Sequence, residues 1–214
     1  MKTILLIGLG RFGSTIAMKL HEMGHEVMAI DTSEERINAA LPYVTNAQIG
    51  DCTNEQYMSS LGIRNFDVCM VAIGDNFQSS LEVTSLLKDL GARFVVSRAS
   101  RDIHAKFLLR NGADQVVYPE KETAIRAAVR YSSDNIFDFI ELTQEHSIYE
   151  IPVPENWIGK TIIDVNVRKK YRFSILAVKY NEKLHPLPEP DYVFKEGDAM
   201  VILGENRDIL RFVR

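Results

Sequence analysis

A short apolar run, Ile4 to Ile7, leads straight into Gly8-Leu9-Gly10-Arg11-Phe12-Gly13. This stretch constrains the fold more than any other. Behind the glycines, Phe12, Ile16, Met18, Leu20 and Met23 recur near the helical period, and a second apolar run, Val27–Ile30, ends at Asp31. Strand, glycine turn, helix and acidic strand end together read as a β-α-β unit of the dinucleotide-binding type. In that unit Gly8 permits the tight turn. Gly10 lets the backbone approach phosphates, and Gly13 lets the helix pack close to the strand. The helix N-terminus offers free N–H groups and partial positive charge to an anion. Asp31 is expected at the strand end beside solvent, accepting both ribose hydroxyls of an adenosine. A carboxylate there repels a 2′-phosphate, which argues against NADP.

The same stretch holds a competing pattern, His21-Glu22-Met23-Gly24-His25, which spells a zinc-protease motif. Two histidines four apart bind zinc only from one face of a continuous helix. Gly24 stands where this helix should stop, and Glu26 onwards already reads as strand. His25 therefore falls in the turn, and His104, His146 and His185 show no ligand spacing.

Further along, apolar runs at Ala47–Ile49, Val68–Ile73, Phe94–Val96 and Gln115–Val117 are short and mostly rich in Val and Ile, as buried parallel strands are. Helical periodicity separates them, for instance at Leu81, Val83, Leu86, Leu87 and Leu90. Gly24, Gly62, Gly91 and Gly112 each follow a helical run and precede a strand, as C-terminal stops do. Alternation of this kind predicts an α/β fold, a doubly wound parallel sheet. Glu120 to Leu142 reads as one long helix, kinked around Ser132-Ser133-Asp134, that leaves the domain. Its Phe137, Phe139 and Ile140 supply apolar surface for a partner contact. After Glu145, "SIYEIPVP", "FSILAVKY", "YVFKEGDAMVILG" and "NRDILRFV" read as strands with two short helices, a second and smaller α+β module. The expected domains are 1–134, with the crossover helix at about 120–142, and 143–214.

Composition narrows the function. A net charge of −4 over 214 residues provides no general attraction to nucleic acid. Cys52 and Cys69 read as free core thiols of a reducing cytoplasm. No run approaches the ~20 apolar residues of a membrane span, so no direct membrane insertion is expected. None of the eight tyrosines has a lysine four residues later, the pair a short-chain reductase needs. A GxSxG, a P-loop and a paired-carboxylate cluster are equally missing. A nucleotide pocket without catalytic chemistry reads as a sensor; a small NAD-dependent oxidoreductase is the alternative enzyme reading.

"IGLGRFGSTIAMKLHEMGHEVMAID", "IGDCTNEQYMSSLGIRNFDVCMVAIGDNFQSS", "NGADQVVYPEK" and "IIDVNVRKKY...ILAV" follow the order and spacing of the potassium-transport regulators of the KtrA and TrkA type. The chain resembles this family over nearly its whole length, as an RCK (KTN) N-terminal domain followed by an RCK C-terminal domain. The resemblance implies a cytoplasmic homo-oligomer, dimers in an octameric ring, docked at the inner face of the plasma membrane on an embedded potassium transporter that it gates. It implies ATP/ADP or NAD(H) at the glycine turn, with Gly8, Gly10 and Gly13 on the phosphates and Asp31 on the ribose. Phe12, Thr32 and Ser33 join that set. Asp51 and Cys52 would lie beside the adenine, with Ala72, Ile73 and Gly74 flooring the pocket. Arg11 would reach a neighbour's terminal phosphate. Arg98 and Glu120 would lie at the dimer contact, Glu120 helping to hold Mg2+ with ATP. In the C-terminal domain, Ile163, Asn166, Arg168 and Ile175 would form a cyclic di-AMP pocket, walled also by Ile162 and Val165, with Arg168 on the phosphate. The soluble RCK module of a potassium channel is the other alternative. It would need a pore segment ahead of the first strand, and Met1 so close to that strand argues against one.

Overall fold

The structure is a computed structural model that describes residues 1–181 and 183–213. Two compact units divide at Glu120/Lys121. The first alternates β1 (Thr3–Ile7), α1 (Arg11–Glu22), β2 (Glu26–Asp31), α2 (Glu34–Ala40), β3 (Asn46–Ile49), α3 (Glu55–Ser60), β4 (Val68–Val71), α4 (Phe77–Asp89), β5 (Val95–Arg98), α5 (Asp102–Arg110) and β6 (Gln115–Val117). All six strands are parallel, in the order β3-β2-β1-β4-β5-β6. This is the doubly wound order, in which the direction of winding reverses between β1 and β4 while every strand stays parallel.

The Val/Ile-rich strands are buried because both sheet faces are covered. Alternate side chains point to opposite faces, and the core splits accordingly. Leu5 and Ile7 join Met58 of α3 and Val83 and Leu87 of α4. Leu6 joins Ala17 of α1 and Ile37 of α2. At the α1 stop, the helix ends at Glu22 and Gly24 takes φ +75°. His25 lies beyond that stop, where its Nδ1 accepts the Lys2 N–H at 3.2 Å. The two histidines of the zinc-like pattern do not share a helix.

α6 (Pro119–Tyr131) begins at the division and β7 (Asp138–Glu141) follows it. The expected single helix to Leu142 is therefore corrected. Ser132 Oγ donates to the Val129 carbonyl, and Ser133 Oγ accepts the Asn135 N–H, so side chains take over the backbone groups a helix would use. Beyond them the pattern switches to alternation: Phe139 is buried against Tyr149, ring centroids 5.0 Å apart, while Ile140 is half exposed.

The second unit continues with β8 (His146–Pro152), α7 (Ile162–Val165), α8 (Val167–Tyr171), β9 (Phe173–Tyr180), β10 (Lys183–Pro186), β11 (Ala199–Glu205) and α9 (Asn206–Phe212). Its antiparallel sheet runs β10-β9-β11-β8-β7. Val178, Met200 and Ile202 are buried in its core. At one side of that core Trp157 packs among Phe194, Tyr171 and Phe212 at 5.3–5.7 Å.

Candidate nucleotide-binding site

β1 ends where the strand order switches from β2 to β4, and the turn that follows opens a cavity of about 870 Å³. Gly8 adopts φ +94°, which excludes an ordinary side chain, and its N–H donates to the Ile30 carbonyl at 2.8 Å. Gly13 lies beneath the turn, where a Cβ would collide with the Gly8 carbonyl oxygen. Its part is close packing, and it does not line the cavity. α1 opens at Gly10 with no side-chain cap and no acidic residue in its first turn. Its end is thus open to an anion. These residues fit a bound phosphate group.

Asp31 differs from expectation. The carboxylate is buried, at 7% exposure, rather than beside solvent. Its Oδ2 accepts the Leu9 N–H at 2.7 Å and its Oδ1 the Ser33 N–H at 2.8 Å. The glycine turn closes over the strand end and takes the carboxylate as its anchor, which a reading of β2 alone could not foresee. Arg36 Nη1 lies 3.5 Å from Oδ2. Thr32 lines the cavity, whereas Ser33 is outside the lining and caps α2, its Oγ accepting the Arg36 N–H.

Asp51 and Cys52 line the cavity beside β3. Asp51 Oδ1 accepts the Thr53 N–H at 2.9 Å and the Thr53 hydroxyl at 2.7 Å, which lowers its carboxyl pKa. Burial, aided by the charges of Asp51 and Asp31, pushes the Cys52 thiol up to about 12. That thiol is protonated and offers a neutral, polarizable surface. Ala72, Ile73 and Gly74 follow β4 along the lining.

At the other end stand Arg11, Phe12, Arg98 and Glu120. Arg98 lies over the Phe12 ring, 5.5 Å from its centroid, and pairs through Nη2 with Glu120. Its Nε is buried with no hydrogen-bond partner among the described residues. Any Cβ at position 74 would strike the Arg98 guanidinium. The Glu120 carboxyl pKa is lowered, first by its own backbone N–H and then by Arg98 and Arg11, against a push from burial.

Arg36, Thr53, Asp75, Asn76, Ser79 and Pro119 also line the cavity and were not singled out in the sequence. One of them carried a readable signal. Asn76 precedes a helical run and caps α4, its Oδ1 accepting the Ser79 N–H at 3.0 Å.

In the second unit, a separate cavity of about 360 Å³ is lined by Ile162, Ile163, Asn166, Arg168 and Ile175, with Val167 and two prolines. Val165 does not line it; its side chain is buried in the core instead. Asn166 at φ +53° divides α7 from α8. Asparagine is among the few side chains that accept this conformation.

The TrkA-N domain family matches residues 4–119, and the TrkA-C domain family residues 147–214. Ktr system potassium uptake protein A of Bacillus subtilis is 43% identical over 211 residues, covering 99% of this chain and 95% of that one. Ktr system potassium uptake protein C of the same organism is 40% identical, covering 99% and 96%. Among solved structures, the GsuK channel superposes with a TM-score of 0.72 at 18% identity, over 99% of this chain and 39% of that one. The TrkA-N domain of Escherichia coli inner membrane protein ybaL gives 0.52 at 25% identity, over 58% of this chain and 91% of that one. With both domain families matched in order and two full-length relatives at this identity, the chain belongs to the KtrA/TrkA family of RCK regulators of potassium uptake.

Proposed function

We propose that this chain is the nucleotide-sensing regulatory subunit of a membrane potassium transporter. The observation that carries the reading is the large cavity built on the glycine turn, open at the uncapped start of α1 and charged at its far end. Adenosine lies towards Asp31, Asp51 and Cys52, and the phosphates lie on Gly8, Gly10 and the first turn of α1. Arg11 reaches the terminal phosphate of a neighbouring subunit's nucleotide. The GsuK channel has been solved bound to NAD. Here the cationic far end, where Arg98 Nε has no hydrogen-bond partner among the described residues, favours a ligand that ends in phosphate, ATP or ADP. Glu120, fully ionised beside Arg98, is the carboxylate available to a divalent cation that accompanies ATP.

The subunits pair into dimers and an octameric ring at the cytoplasmic face of the transporter. The membrane pathway belongs to the partner; among the described residues no helix is long and apolar enough to cross a membrane. Ligand control follows if the nucleotides bind two ring shapes with different affinity. In the second unit, the cavity at Arg168 takes cyclic di-AMP.

Calorimetric titration of the purified chain with ATP, ADP, NADH and cyclic di-AMP tests this. Adenine nucleotides are expected to bind, and Arg168→Ala is expected to abolish cyclic di-AMP binding while leaving ATP binding intact. A chain that binds no adenine nucleotide overturns the sensing role; cyclic di-AMP binding that survives Arg168→Ala overturns the second site.

A further inference from the structure

We propose that Arg36 is an adenine clamp, a planar cation that covers the face of the base in this site. The inference rests on the nucleotide reading above and names a residue that neither the glycine motif nor the acidic strand end singles out.

Three observations lead to it. First, Arg36 lines the adenosine end of the cavity together with Thr32, Asp51, Cys52 and Thr53. Thr32 and the first turn of α2, which carries Arg36, follow β2, and Asp51 to Thr53 follow β3; β2 and β3 are neighbours in the sheet, so the two segments flank one cleft. Second, the guanidinium is half exposed, while its backbone is fixed: the Arg36 N–H is held by the Ser33 cap at the start of α2. A long side chain thus springs from a rigid point into open cavity.

Third, its hold on Asp31 is the weakest of those that the carboxylate makes. Arg36 stands at 3.5 Å from Oδ2, the oxygen that takes the Leu9 N–H at 2.7 Å. Ribose hydroxyls donating to Asp31 displace the long contact first, because the backbone amides are fixed and the arginine is free to swing. The displaced guanidinium remains among the lining residues of the base. Two carboxylates, Asp31 and Asp51, face that end, and the cation stays there to balance them. Its flat face suits the π-surface of a purine, a geometry that a lysine ammonium does not share. The neutral Cys52 thiol and Thr53 supply further contacts around the base.

The role differs from phosphate reading, and the difference is measurable. Affinities of the full chain for ATP, ADP and NADH, with inorganic tripolyphosphate as a competitor lacking adenosine, would be compared between the parent, Arg36→Ala and Arg36→Lys. Arg36→Ala should weaken all three adenosine ligands by about three- to tenfold, the range of a partly desolvated cation–π contact. The ATP-to-ADP ratio and tripolyphosphate competition should stay as in the parent. Arg36→Lys keeps the charge without the plane and should remain weak. Unchanged affinity in Arg36→Ala, full recovery by lysine, or a loss confined to ATP and tripolyphosphate would each overturn the clamp. A parent chain that binds no adenine nucleotide instead brings down the underlying nucleotide reading, and the clamp with it.

Discussion

Asp31 shows how one side chain can serve architecture and ligand together. Its two oxygens hold the backbone N–H groups of Leu9 and Ser33, so the glycine turn and the approach to α2 are tied to one buried carboxylate. Asp31→Ala strands both donors at a buried site. It should lower the unfolding free energy by about 2–3 kcal/mol, the scale of lost hydrogen bonds to a charged group. Urea denaturation measures this, and Asp31→Asn, which keeps one acceptor oxygen, should lose about half as much. An unchanged midpoint in Asp31→Ala would mean that the carboxylate does not hold the turn. His104 is a second residue with a measurable signature. It is fully buried, its Nδ1 faces the Ser100 N–H at 3.3 Å, and its Nε2 has no partner among the described residues. Protonation would set one N–H against another. Burial, then the Arg101 charge, lowers its pKa from the ordinary 6.5. The unfolded chain therefore takes up the proton first. Stability from the neutral ring is complete above about pH 6.5 and is lost as pH falls from there through the lowered native value. His104→Gln should show a flatter loss of stability between about pH 7 and 5 than the parent does. Equal slopes would remove His104 as the cause.

At the scale of elements, the glycine turn and the segment after α6 behave in opposite ways. The turn is dictated locally: the φ of Gly8 and the contact of Gly13 admit few other residues, so its motif is legible at once. Residues 132 to 141 have no such local dictate. Read alone, Ile136, Phe137 and Ile140 fit a helix face. The strand appears because β8 supplies a partner edge, pairing Phe139 with Tyr149 and Ile140 with Ile148. The alternation makes a testable distinction between neighbours. Phe139→Ala should cost about 3 kcal/mol or more, the cost of emptying a buried aromatic site. Ile140→Ala, half exposed on the other face, should cost under about 1 kcal/mol. Chemical denaturation of the two variants measures both, and equal losses would contradict the strand.

Across the whole molecule, each compact unit holds its own apolar core. One is a parallel sheet covered on both faces, and the other an antiparallel sheet with aromatic residues at its side. Local periodicity was enough to place all six parallel strands and the helix stops at Gly24, Gly62, Gly91 and Gly112, each of which takes positive φ. Strand period, helix period and glycine conformation are short-range properties, and the glycine turn that brings Gly8 and Gly10 to the cavity followed from them. What a side chain meets across the fold is not short-range. Asp31 is buried because Leu9 folds over it, and Arg36 enters the site because the first turn of α2 aims it back at the strand it has just left. Arg98 meets Glu120 because β5 and the start of α6 end at the same edge of the sheet. Ser33 reads as a ligand residue and is spent on a helix cap. Spacing along the chain carries backbone conformation, since φ and ψ are settled by neighbouring atoms. Burial and partners come from packing between distant segments, and only the assembled sheet and its loops decide them.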